Sequence, residues 1–270
     1  MGDPTKVRPA RGGIECYRAA FGGRAPGKGS RREETLTQRG APSRGYRLFR
    51  RAVVALGALL FGYTVHGREN IPEGGALIVA ANHRRIADPA FVSMAVPRRL
   101  RWMALKDLFV FPVRKLVLFG GAFPVDRENG GRAGLLTALS LLSEGEAVGI
   151  FPEGTRQRTD ALRGAPRSGV GMLAARSGAP VLPVYVDRVP GPAARLRGER
   201  LRVYVGAPLR FDGPDDRRRR DGKAYRRIAE ETLRAIYDLK EEHGARKAGK
   251  RGCGRAASSS PFPAVRRERG

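Results

Sequence analysis

Ala76-Leu77-Ile78-Val79-Ala80-Ala81 is a continuous apolar run, and it stops at Asn82-His83-Arg84-Arg85-Ile86-Ala87-Asp88-Pro89. Gly74 and Gly75 bound it on the other side. A short apolar run between turn residues, with no alternation, reads as a strand buried on both faces, the kind found in parallel sheets. In open α/β sheets function sits at the carboxyl ends of such strands, so the polar string after Ala81 marks that end. Working outward, 147–151 and 180–186 are further apolar strands, and 63–67, 100–104, 121–125 and 201–205 are shorter ones. Helices are expected after Asp88-Pro89, where proline suits a first turn and aspartate a cap. Others are expected over 131–143, 169–177 and 221–242. The last carries Tyr225, Ile228, Thr232, Ile236 and Leu239 on one face. The stretch 106–119 is helical or irregular, with a bend at Pro112. Strands alternating with helices predict an α/β fold with a central, mostly parallel sheet flanked by helices.

The chain's hydrophobic residues, 41 % of the total, suffice for a sizeable core. Its formal net charge of +26 draws it toward polyanions: an anionic lipid surface, phosphorylated substrates or nucleic acid. Cys16 and Cys253 lie near opposite ends and make neither a disulfide framework nor a metal site, which fits a reducing, cytosolic setting. With three histidines and no paired Cys/His spacing, no zinc site is expected. Residues 1–43 are basic, glycine-rich and aperiodic, and read as a disordered tail without the apolar core of a signal peptide. Residues 243–270 read as a second basic, disordered tail. Neither tail interleaves aromatic residues with its charge, so no specific nucleic-acid platform is expected. Between them lie a helical segment over 44–65 and a main domain over 66–242. The apolar stretch 52–65 is shorter than the roughly 20 residues a bilayer span needs. Arg44, Arg47, Arg50 and Arg51 precede it. Two readings stand side by side: a membrane-surface anchor, and an ordinary helix packed on the core.

The chemistry concentrates in two strings. In the first, His83 can take a proton from an attacking hydroxyl near neutral pH. Such a base works best with its other ring nitrogen held by an acceptor, and Asp88 is the candidate. Five positions along a straight helix lie about 140° apart, so the pair can meet only if the intervening residues form a turn. Alternatively, His83 is structural and Asp88 merely caps the next helix. The second string is Phe151-Pro152-Glu153-Gly154-Thr155-Arg156, at the end of another predicted strand. Gly154 allows close backbone approach to a ligand. Thr155 and Arg156 offer a hydroxyl and a planar donor fork suited to phosphate. Glu153 is grouped with them as a substrate-site residue that accepts from a hydroxyl or holds the loop. A base, its orienting acid and an anion cradle suit acyl transfer from a thioester to a hydroxyl on a phosphate-bearing acceptor.

The two strings resemble the glycerolipid acyltransferase family, the 1-acylglycerol-3-phosphate O-acyltransferases. Gly121-Ala122-Phe123-Pro124-Val125-Asp126-Arg127 is similar to that family's second block, and Pro180-Val181-Leu182-Pro183-Val184 to its fourth. All four blocks stand in the family's order, between about residues 60 and 210. The resemblance implies His83 as general base, Asp88 as its partner, and Arg127 with Glu153, Gly154, Thr155 and Arg156 binding the acceptor's phosphate end. It implies a glycerol-3-phosphate acyltransferase-like fold, an N-terminal membrane-associated helix, and no metal or organic cofactor. The donor would be an acyl-CoA or acyl carrier protein thioester, and the acceptor a lysophospholipid. The expected product is phosphatidic acid, made for phospholipid biosynthesis at the cytoplasmic face of the cell membrane by a peripheral or monotopic protein. Arg85 stands where the family usually has a small hydroxylated residue, Gln157 where it often has serine, and Leu105 where a lysine is common. Extra guanidinium at residue 85 keeps open a different lyso-lipid or glycolipid acceptor. A basic nucleic-acid-binding protein is the remote third reading.

Overall fold

The computed structural model describes residues 44–105, 120–125, 131–157, 165–211 and 221–249. The stretch 106–119, Arg127, both cysteines and the two basic tails up to residue 43 and from residue 250 lie outside the described residues. At the centre is β2 (Leu77–Ala81), buried at every position. It pairs in parallel with β5 (Ala147–Ile150) on one side and β6 (Val181–Val186) on the other. Beyond β5 lie β3 (Leu100–Leu105) and β4 (Phe123–Val125), also parallel. Beyond β6 lie β7 (Arg202–Val205) and then β1 (Thr64–His66). The order is β1-β7-β6-β2-β5-β3-β4.

One pairing breaks the parallel rule. β6 and β7 are antiparallel, in the register Val184↔Val205, Tyr185↔Tyr204 and Val186↔Val203. Parallel neighbours need a connection that crosses a face of the sheet. The chain between β6 and β7 holds only the short helix Pro192–Leu196, so it turns back at the same end. The sheet is therefore mixed, with β7 and its parallel neighbour β1 reversed relative to the rest.

Successive side chains of a strand point to opposite faces, and β2 divides that way. Ile78 and Ala80 face α3 (Arg132–Ser143), α4 (Gly169–Ser177) and the terminal helix Gly222–Gly249. Leu77, Val79 and Ala81 face α1 (Arg44–Phe61) and α2 (Asp88–Ala95). With the Pro192–Leu196 helix taken as α5, the terminal helix is α6. Its buried Ile228, Thr232, Ile236 and Leu239 follow the expected face, and the helix runs on beyond residue 242. α6 lies so close to α4 that a Cβ at Gly171 would strike the Tyr225 carbonyl. Glycine is what permits that approach.

α1 lies against α2. The Arg50 guanidinium donates to the carbonyls of Met94 and Val96, at 3.2 and 3.1 Å. Phe61 meets Phe91 edge to face at 5.4 Å. The opposite side of α1 is bare: Leu48, Leu56, Leu59 and Leu60 are 70, 56, 74 and 53 % exposed. Among the described residues no helix is long and apolar enough to cross a membrane.

Candidate active site

The site forms where β2 and β5 end side by side. Asn82 follows β2 and is fully buried. Its amide accepts from the Val186 N–H at 2.7 Å and donates to the Val186 carbonyl at 3.0 Å. A side-chain amide used in this way acts as one more ladder rung and ties the start of the loop to the end of β6.

The next residues turn, as contact between His83 and Asp88 requires. Asp88 is the first residue of α2, and Ala87, not Asp88, takes the cap position without a side-chain bond. The Asp88 carboxylate turns back over the loop instead. Its Oδ2 accepts from the Arg84 N–H at 2.5 Å and the Arg85 N–H at 2.6 Å, and lies 3.3 Å from His83 Nδ1. A carboxylate only accepts, so Nδ1 is the donor in this pair, which leaves Nε2 as the ring nitrogen turned away from Asp88. Asp88 is buried, while the His83 side chain retains 19 % of its exposure. The imidazole stacks on Phe151 at 4.0 Å and 15°, and Phe151 stacks on Trp102 at 4.9 Å and 19°. Trp102 Nε1 donates to Ser93 Oγ at 2.9 Å, which fixes the far end of the column.

The loop after β5 grips His83 from the other side. The His83 N–H donates to Glu153 Oε2 at 3.2 Å, and the His83 carbonyl accepts from the Gln157 N–H at 2.8 Å. Both backbone groups of His83 are thus bonded to 151–157. Glu153 Oε1 accepts from the Tyr237 hydroxyl at 2.8 Å. Both carboxylate oxygens of Glu153 therefore rest on protein donors, which favours loop-holding over direct contact with substrate. Burial, with the Asp88 charge adding to it, pushes its pKa above the usual carboxylate range, against the pull of the Tyr237 and His83 N–H donors. Burial likewise raises the Tyr237 hydroxyl, with the Glu153 charge adding to it.

Gly154 makes the turn of this loop, with φ of 67° and its N–H bonded to the Phe151 carbonyl at 3.0 Å. A Cβ there would also strike the Arg167 side chain. Thr155 and Arg156 stand exposed, two and one residues before the Gln157 bond to His83. Arg85 is exposed on the facing loop. Among the described residues no group of three or more His, Cys, Asp or Glu could hold a metal ion. The structure thus brings His83, Asp88, Glu153, Gly154, Thr155 and Arg156 into two adjoining loops. Sequence reasoning gave no role to the ring of Phe151, to Trp102 or to Tyr237. Phe151 lay in view within its motif, whereas Tyr237 lies 84 residues from its partner with no local signature.

Comparison with known proteins gives the family. The family model described as Acyltransferase matches residues 62–187. The 1-acyl-sn-glycerol-3-phosphate acyltransferase of Bacillus subtilis is 30 % identical over 166 residues, covering 61 % of this chain and 82 % of that protein. The enzyme of the same name from Borreliella burgdorferi is 32 % identical over 123 residues, 44 % of this chain and 49 % of that one. The crystal structure of the 1-acyl-sn-glycerophosphate (LPA) acyltransferase PlsC from Thermotoga maritima superposes with a TM-score of 0.53 at 21 % identity, over 85 % of this chain and 89 % of that one, and shares the fold. The matched span begins just ahead of β1 and ends just past β6, so it takes in both loops and the strands that carry them. The chain belongs to the acyltransferase family, among enzymes of the 1-acylglycerol-3-phosphate type.

Proposed function

We propose that this protein transfers a fatty acyl group from a coenzyme A or acyl carrier protein thioester to the free hydroxyl of lysophosphatidic acid, giving phosphatidic acid. The observation that carries the reading is the His83–Asp88 pair, 3.3 Å apart, on a loop whose backbone is bonded to the loop bearing Thr155 and Arg156. The acceptor hydroxyl gives its proton to His83 Nε2 as its oxygen attacks the thioester carbonyl. The imidazolium that forms is stabilised by Asp88 through Nδ1–H. The C–S bond then breaks, and the proton passes from Nε2 to the departing sulfur. Thr155, Arg156 and Arg127 bind the acceptor's phosphate, and Gly154 shapes the backbone beneath it. Glu153 serves this site by holding the His83 loop.

The acceptor is a membrane lipid, so the site works at a bilayer surface, the cytoplasmic face of the cell membrane. The exposed leucines of α1 and the 69 % exposed Ile86 on the His83 loop supply the apolar contact. Arg44, Arg47 and Arg51 supply the cationic one. Exposed Arg85 beside the base supports a second reading, a lyso-lipid with a larger anionic head group. Incubating the protein with oleoyl-CoA or oleoyl-acyl carrier protein and a panel of lysolipids, then weighing the products, tests both. Phosphatidic acid as main product is the expected result. Acylation of another acceptor alone would select the second reading, and no transfer to any acceptor would overturn both.

A further inference from the structure

We infer that Tyr237, on the terminal helix α6, is a positioning residue for acyl transfer: through Glu153 it fixes the backbone of His83. The inference rests on the proposed reaction for its kinetic consequences and on geometry alone for its existence. Two bonds in series make the link, Tyr237 Oη to Glu153 Oε1 at 2.8 Å and Glu153 Oε2 to the His83 N–H at 3.2 Å. α6 lies outside the span matched by the family model, so the link joins the catalytic loops to a part of the chain beyond that span.

A glutamate needs such a partner here. The terminal torsion of a glutamate side chain is soft and roughly twofold, so one bond to the His83 N–H does not fix its plane. The phenol hydroxyl holds the second oxygen and so fixes both. The carboxylate is also half-buried, which penalises its charge unless donors compensate. Around it stand His83 and Asp88 from the first loop and Tyr237 from α6, with Arg84 near the Tyr237 hydroxyl. The phenol keeps its proton throughout the physiological range, since burial and Glu153 both raise its pKa. It is therefore a steady donor rather than a proton carrier. Its ring is held independently, edge-on to Tyr185 at 5.9 Å. The helix beneath is held by buried Leu233 and Ile236. A displacement of the base on the order of 1 Å is enough to slow an enzyme about a hundredfold.

Tyr237→Phe removes the hydroxyl and leaves the ring. The expected result is a fall in kcat of about 10- to 100-fold, the scale of one lost bond to a charged group. KM for oleoyl-CoA and for lysophosphatidic acid should stay within about twofold. In a Glu153→Gln background the same change should cost little more, because its effect runs through the carboxylate. The backbone amide resonance of His83, read by NMR on the full chain, should move in Tyr237→Phe whether or not any acceptor is turned over. An unmoved His83 amide, full kcat in Tyr237→Phe, a loss confined to KM, or additive losses in the double variant would each overturn the inference. Absence of transfer by the wild-type chain would overturn the proposed reaction instead, and the amide measurement would still decide the role of Tyr237.

Discussion

On the proposed mechanism, replacing His83 with alanine takes away the nitrogen that receives the acceptor's proton. The expected loss is about 10²–10⁴-fold in kcat, with the fold retained, since the ring is a lid on Phe151 rather than a core side chain. Near-wild-type turnover would remove His83 from the mechanism. Asp88→Asn is a different test. An amide can turn either its oxygen or its nitrogen toward the loop, and the Arg84 and Arg85 N–H groups need the oxygen. His83 Nδ1 then competes for the same acceptor, and kcat should fall by a similar factor with a smaller change in KM. At this scale the sequence was informative where partners were neighbours. The His83–Asp88 contact required a turn, and the intervening residues make one. Glu153 was harder, because its role depends on Tyr237, and nothing in either local string names the other. Arg127 lies outside the described residues, so its place beside the acceptor rests on the family's motif.

Among the elements, α1 carries two kinds of information on its two sides. Arg50 faces inward and binds the carbonyls of Met94 and Val96 around the end of α2, so it holds the helix to the domain. Leu56, Leu59 and Leu60 face outward. Changing these three to asparagine should remove the salt-resistant part of flotation with anionic vesicles while leaving the circular dichroism of the protein unchanged. Flotation as strong as the wild type would place the membrane contact elsewhere. α6 offers a stability test. Thr232 is fully buried, and its Oγ1 has no hydrogen-bond partner among the described residues. Thr232→Val keeps the shape and removes the orphan hydroxyl, so urea unfolding should show a gain of about 1–3 kcal/mol. At the reversed edge of the sheet, His66 stacks on Tyr204 at 5.2 Å and lies 5.8 Å from His243. Burial, with His243 and Arg202 nearby, holds its pKa below the ordinary 6.5. The unfolded chain then binds this proton first, so the His66 contribution to stability falls as pH drops below about 6.5. His66→Asn should flatten that part of the stability profile. The strands themselves were legible to within about a residue or two, because glycine, proline or polar residues bracket them. The direction of β7 was not, because an apolar pattern does not encode strand polarity, and the short α5 left no periodicity to read.

For the molecule as a whole, a net charge of +26 and an apolar helix face would make two separable contributions to the proposed membrane binding. The charge part weakens as salt shortens the Debye length from about 10 Å at 0.1 M to about 3 Å at 1 M. The apolar part does not. Flotation should therefore fall with salt to a plateau and not to zero, and a curve that reaches zero would assign the contact to charge alone. The α/β class could be read from the alternation of apolar strands and amphipathic helices. The mixed sheet could not, since it depends on how the chain returns after β6.

Trp102 is the chain's single tryptophan, and it ends the column that begins at His83. Its fluorescence is consequently a built-in optical gauge of the loops around the base, with no background from a second indole. Acceptor binding that presses His83 onto Phe151 should change its emission, and so should any variant that lets the column tilt. Binding could then be titrated on the unlabelled protein, without turnover, by light alone.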